Sequence, residues 1–167
     1  MFLQRQCIYC PSQLKFMENT NLVNYLQWAD TKIFDLLQIH SKNDEEDHRI
    51  KSKLLHLTEE YRAWLHDIQK LDIRSFVEVY NTMTVDQLID EIKVLHKLWM
   101  EYVTNHVADE IYDIDEGSFS VPIKLDQVVF NLVNHSSYHR GQIILLLRLA
   151  GIETPITDYY WYKISKL

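Results

Sequence analysis

The chain has few of the residues that interrupt regular backbone structure, with three glycines and three prolines among 167 residues. This scarcity argues against a turn-rich β sandwich and favours long helices. The composition, 47% hydrophobic and 25% charged, is that of a globular chain long enough to bury a core of its own. We therefore expect an all-α fold in one main domain.

The sequence also lacks the stretches that mark several functional classes. No apolar run approaches the roughly 18 residues that a membrane span needs, and the first residues do not resemble a secretory signal. The net charge is −7, and no run of lysine and arginine offers the basic face typical of nucleic-acid binders. We predict a cytoplasmic protein with neither nucleic acid nor membrane as a partner.

Cysteine is limited to Cys7 and Cys10, a C-x-x-C pair near the start of the chain. A redox pair of this kind normally opens a helix after a strand, and a four-thiolate zinc site needs a second pair. The sequence offers neither context. We interpret residues 1–18 as an N-terminal arm and residues 19–167 as the folded domain.

Hydrophobic periodicity predicts four long helices with polar connections, which is typical of a four-helix bundle. We expect these helices at about residues 20–39, 44–71, 85–107 and 124–150. Capping boxes mark the starts of the second and third helices, Asn43 with Glu46 for the second and Thr84 with Gln87 for the third. Gly151 suits the position just after the last helix.

Two segments next to the last helix depart from the helical pattern. Apolar residues alternate on either side of Gly117 within residues 110–123, which predicts a small hairpin or extended loop before the last helix. Pro155 blocks further helix. The aromatic tail at residues 158–162 should then pack back on the body.

His135 and His139 give the strongest indication of chemistry. They are four residues apart and therefore share one face of the last helix. Apolar residues lie on the same face, namely Val128, Leu132, Leu146 and Leu149. Two imidazoles in an apolar stripe need partners. A metal ion bound by the i, i+4 pair is one solution, and hydrogen bonds to carbonyls or carboxylates are the other.

The other histidines show no such pattern. His40, His48 and His66 have polar neighbours, and we expect them to be solvated. His96 and His106 fall outside the apolar stripe that we assign to the third long helix. That stripe consists of Leu88, Ile92, Leu95, Trp99 and Tyr102.

The segment Asn134–Gln142, with the sequence NHSSYHRGQ, closely resembles the signature of the DinB-like superfamily. In that signature two metal-ligand histidines on the last helix precede Arg-Gly-Gln. Other matches are Trp28-Ala29-Asp30 in the first helix, His56-Leu57 with Trp64-Leu65 in the second, and Gly151–Pro155 with Asp158 at the end. The resemblance covers roughly residues 20–165, and it implies a DinB-like four-helix bundle.

The resemblance implies that His56 completes a metal site with His135 and His139. On an ideal helical wheel His56 lies roughly 140° from the apolar stripe of its helix, so periodicity alone predicts that it is exposed. We follow the resemblance instead. The residues that we expect to line the site are Glu60, Asn131 and Gln142. Three histidines leave coordination positions open, and they do not decide between zinc, nickel, iron and manganese.

The resemblance also implies a reaction class. Characterised relatives include S-transferases and isomerases that depend on bacillithiol, mycothiol or similar thiols. A metal-dependent enzyme that binds a small thiol as thiolate and directs it at an electrophile is therefore expected. Two alternatives stay open, a metal-dependent hydrolase with Glu60 as base and a non-catalytic metal-binding or interaction protein.

Arg140 and Gly141 point away from His135 on the helical wheel. We expect Arg140 to form a structural ion pair and Gly141 to permit close helix packing.

The last helix has a second apolar face, which predicts that this helix is buried on nearly all of its sides. It consists of Val129, Val133, Ile144 and Leu147, with Phe130 farther round. Either the chain covers this face itself or a second copy does, and a two-fold homodimer is our prediction.

Overall fold

The computed structural model describes the backbone of residues 11–40, 44–71, 77–115 and 117–167, with the side chains of 18–40, 48–71, 79–115 and 117–167. These residues form six helices and one two-stranded sheet. In chain order they are α1 (Pro11–His40), α2 (Asp44–Gln69), α3 (Val77–Thr82), α4 (Val85–Asn105), β1 (Ile111–Asp115), β2 (Ser120–Lys124), α5 (Leu125–Leu149) and α6 (Tyr159–Ile164). The predicted all-α fold with a small hairpin before the last long helix is confirmed.

The helices α1, α2, α4 and α5 form the four-helix bundle. Both α1 and α2 pack against α4 and against α5, so α1 and α2 stand at opposite corners. One continuous core contains side chains from all four helices, with Trp99, Tyr61 and Leu26 among its largest fully buried members. Each fully buried aliphatic side chain contributes about 1.5–3 kcal/mol, so this core holds the bundle together.

Local sequence signals set several helix ends. The Thr84 side chain accepts a hydrogen bond from the Gln87 N–H and Gln87 Oε1 accepts one from the Thr84 N–H, which confirms the capping box of α4. Gly151 has a φ of 78° just after α5, a conformation that favours glycine. Helix α1 begins at Pro11, well before the predicted start near Thr20; proline suits the first helical position.

Two sequence features fall outside what the structure describes. The second predicted capping box depends on Asn43 and on the Glu46 side chain, and the C-x-x-C pair consists of Cys7 and Cys10. All four lie outside the described residues or side chains.

The predicted hairpin pairs β1 with β2 in antiparallel register, from Ile111 opposite Lys124 to Asp115 opposite Ser120. Alternation along β1 buries Tyr112 and Ile114 and exposes their neighbours. Strand β1 contacts α2, and β2 contacts α5. The hairpin therefore adds one apolar face to the core.

The aromatic tail packs back on the bundle, as the sequence predicts. Tyr162 of α6 is buried, and its ring centroid lies 5.7 Å from that of Tyr25 and 5.6 Å from that of Trp28. The Tyr25 hydroxyl donates a hydrogen bond of 3.0 Å to the Thr157 carbonyl. Val133 of α5 packs against this cluster, so the tail covers part of the second apolar face.

The remaining residues of that face differ in exposure. Val129 and Leu147 are buried in the core, and Ile144 is half-buried against it. Phe130 is 65% exposed. The chain thus covers most of the face itself, and the homodimer stays a prediction.

None of the helices in the described part of the chain is long and apolar enough to cross a membrane. The cytoplasmic location stays a prediction.

Candidate metal centre

Two helices bring three histidines together at their seam. His135 and His139 lie one turn apart on α5, and His56 faces them from α2. The ring centroid of His56 lies 5.1 Å from that of His135 and 4.7 Å from that of His139, and the two α5 rings are 4.5 Å apart. One potential ligand nitrogen from each ring lies within 4.8 Å of the others.

The donor set fits a divalent metal ion. Imidazole nitrogens bind zinc at about 2.0–2.1 Å, so two of them on one ion stand at most about 4.2 Å apart. The observed spacing is therefore within a small side-chain adjustment of a shared ion. His135 Nε2 is buried and has no hydrogen-bond partner among the described residues, a state that an ion would relieve.

Hydrogen bonding fixes one of the rings. Gln142 Oε1 lies 3.2 Å from His139 Nδ1 and accepts its proton in the tautomer that carries one there. That tautomer leaves the lone pair of His139 on Nε2. Partners of this kind orient metal-binding histidines and raise their basicity.

The electrostatic environment keeps both α5 imidazoles neutral at pH 7. Burial, reinforced by the neighbouring charges of His135 and His56, lowers the pKa of His139 to about 4. Burial also lowers the pKa of His135; the charge of Glu60 opposes this and His56 reinforces it. Neutral imidazoles have the free lone pair that a metal ion needs.

The three predicted lining residues differ in their relation to the histidines. Gln142 contacts His139, and half-buried Glu60 is close enough to His135 to act on its pKa. Asn131 is half-buried one turn before His135, and no hydrogen bond among the described residues joins it to the three histidines. The structure thus connects Glu60 and Gln142 to the cluster and leaves Asn131 beside it.

His56 flanks the apolar stripe of α2 and is half-buried rather than exposed. A helical wheel measures the angle from a single core direction, whereas α2 contacts both α4 and α5. His56 faces the seam with α5, a direction that the wheel counts as solvent. The structure thus brings His56 beside His135 and His139, and its role as a metal ligand stays a prediction.

A buried charged network lies directly behind the centre. Arg140, next to His139 in sequence, donates from Nη1 to Asp30 Oδ1 at 2.6 Å, and both side chains are almost fully buried. Ser136, next to His135, donates to the same oxygen at 3.0 Å. Tyr61 and His96 contact Asp30 Oδ2 at 2.9 and 3.0 Å. The carboxylate therefore links α1, α2, α4 and α5.

This network keeps Asp30 ionised. Burial alone would raise its pKa, but the hydrogen bond from His96 and the charge of Arg140 outweigh burial and lower the pKa to about 2. Burial and the charge of Asp30 raise the pKa of Tyr61 well above its usual value, so this phenol remains a donor. The core therefore contains the ionised carboxylate of Asp30, which has four hydrogen-bond donors. One of the four is the guanidinium of Arg140, with which it forms an ion pair.

The network confirms one expectation for α5 and corrects two others. Arg140 makes a structural ion pair, as predicted. His96 is not off the core stripe; it is 1% exposed and bound to Asp30. Gly141 does not serve close packing, because a β-carbon there would meet no heavy atom within 4 Å.

A comparison with known protein families gives a match. The model of the DinB family matches residues 16–166, which is nearly the whole chain. No curated protein and no solved structure gives a significant match.

Proposed function

The chain belongs to the DinB family, and from that premise we propose that it is a metal-dependent enzyme acting with a low-molecular-weight thiol, of the S-transferase type. The observation behind the proposal is the buried Nε2 of His135, which has no hydrogen-bond partner in the described part of the chain and is flanked by His56 and His139. A zinc, nickel, iron or manganese ion bound there would lower the pKa of a thiol or water and act as a Lewis acid.

The residues around the centre have distinct tasks in this proposal. The imidazoles hold the ion, and Gln142 keeps the His139 ring in place. The charge of Glu60 acts on the pKa of His135, so this carboxylate lies near the centre. We assign Glu60 the role of accepting the thiol proton. The sulfur forms a bond to an electrophilic carbon, the bond from that carbon to its leaving group breaks, and the proton ends on Glu60.

The reaction class has a direct test. Zinc-loaded and nickel-loaded protein should consume free thiol together with an electrophile such as 1-chloro-2,4-dinitrobenzene, across a panel that includes cysteine and larger cysteine-containing thiols. Chelator and the His139→Ala substitution should each reduce the rate to that without protein, because both remove the ion. His40→Ala, at an exposed position of α1, should leave the rate unchanged.

Two other outcomes contradict the thiol proposal. Hydrolysis of an ester or amide without thiol, lost in Glu60→Gln, favours a metal-dependent hydrolase in which this carboxylate is the base. Metal-loaded protein that catalyses neither reaction favours a non-catalytic metal-binding or interaction protein.

We also propose a homodimer that covers the exposed part of α5. Phe130 is the large apolar residue of the second face that the chain leaves open. Sedimentation equilibrium at micromolar concentration should give twice the chain mass of 20.1 kDa, and Phe130→Glu should shift it to a single chain. Phe119→Glu, at an equally exposed position near the hairpin, is the matched control. A clean mass of one chain for the unmodified protein would refute the dimer.

A further inference from the structure

We propose that the cavity beside the three histidines binds an anionic group, a carboxylate or a phosphate, on a substrate that also has a short apolar portion. The cavity has a volume of about 360 Å³ at the seam of α2 and α5. Its lining includes Arg49, Ser52 and Lys53 from α2 and Gln142, Leu145 and Leu146 from α5. As an assignment of substrate class, the inference rests on the function proposed above.

The cavity adjoins the histidine centre. Gln142 lines the cavity and also contacts His139. Lys53 lies one helical turn before His56 on α2, and its charge contributes to the lowered pKa of His139. A molecule bound in the cavity therefore lies next to the histidine centre.

The charge of the lining differs from that of the protein as a whole. The chain has a net charge of −7, yet no acidic side chain among the described residues lines this cavity. Arg49 and Lys53 line it within about one turn of each other, and neither makes an ion pair with a described residue. Two cations that have no ion-pair partner in the described part of the chain, beside a hydroxyl donor, are suited to a carboxylate or phosphate.

The opposite wall is apolar. Leu145 is 57% exposed and Leu146 half-buried, both on the α5 side. Exposed leucine next to cations suits a ligand whose anionic end faces α2 and whose carbon chain lies on α5.

The test uses three probes of equal chain length, hexanoate, hexyl phosphate and hexanol, with the full chain and no added metal. Chemical shifts of the backbone amides and of the Gln142 side-chain amide report binding. At least one anion should bind about tenfold more tightly than hexanol, because charge-assisted hydrogen bonds to Arg49 and Lys53 strengthen its binding. The preference should weaken with added salt, and the tighter anion identifies the group.

Variants make the result specific. Arg49→Gln/Lys53→Gln should bring the anion affinity down to that of hexanol and leave hexanol unchanged. Lys51→Gln/Lys97→Gln removes the same charge from residues that do not line the cavity, and it should retain the preference. Equal binding of all three probes, or a preference that survives the first double variant, would overturn the inference. Since the probes have no thiol and the protein no metal, this outcome is independent of the metal and thiol tests.

Discussion

Asp30→Ala should lower the free energy of unfolding by about 3–5 kcal/mol. The substitution leaves the Arg140 guanidinium, which is 3% exposed, without the carboxylate that it contacts at 2.6 Å. It also removes the acceptor of Ser136 and the partner of His96. A buried cation without its counter-ion has lost hydration with nothing to offset the loss. Urea unfolding followed by circular dichroism measures the difference.

Controls separate this effect from a general loss of α1. Asp35→Ala, at an exposed position of the same helix, should change stability by less than about 0.5 kcal/mol. Asp30→Ala/Arg140→Met should be less destabilised than the sum of its single variants, because the two residues share one interaction. A loss below about 1 kcal/mol in Asp30→Ala, at an unchanged dependence on urea, would mean that the ion pair does not stabilise the bundle.

The wild-type chain should bind about one divalent ion, and alanine at His56, His135 or His139 should weaken that binding by more than about 100-fold. Loss of a ligand should exceed the 10–100-fold effect typical of the residues that orient ligands. Gln142→Ala should fall within that smaller range, because its amide only holds the His139 ring. Elemental analysis together with competition against a chromophoric chelator measures both.

The control variants are His40→Ala and His66→Ala, which should keep the metal affinity of the wild type because neither residue belongs to the cluster. Wild-type protein that stays metal-free after incubation with zinc and with nickel would refute the centre. Full affinity in His56→Ala, with loss in another histidine variant outside α5, would refute the ligand role that the family resemblance implies.

Periodicity was sufficient for the architecture because each long helix has its own apolar stripe. Thr84 with Gln87 and Gly151 marked helix ends through local hydrogen bonding and backbone conformation, and the structure has both. Tyr112 and Ile114 marked the buried side of the hairpin by alternation. These signals lie within one segment, so they can be interpreted without knowledge of its neighbours.

The buried network was not predictable in the same way, because its partners come from four helices. A signal was nevertheless present. His96 is four residues after Ile92 and three before Trp99, so it occupies a core position that the chosen stripe passed over. Asp30 is likewise four residues after Leu26 and three before Ile33. Two ionisable residues at core spacing on separate helices indicate a buried pair, although only the fold shows that Arg140 completes it.

The order of residues along α5 has a mechanical consequence. Successive residues turn by about 100°, so Ser136 and Arg140 face the interior while His135 and His139 face the seam with α2. Any rotation of α5 that moved the imidazoles would pull Arg140 away from Asp30. The ion pair between Arg140 and Asp30 thus fixes the rotation of α5 about its own axis. Contacts in the protein interior therefore hold His135 and His139 in position before a ligand binds. Because the imidazoles are already ordered, binding of a ligand costs little further conformational entropy at these side chains.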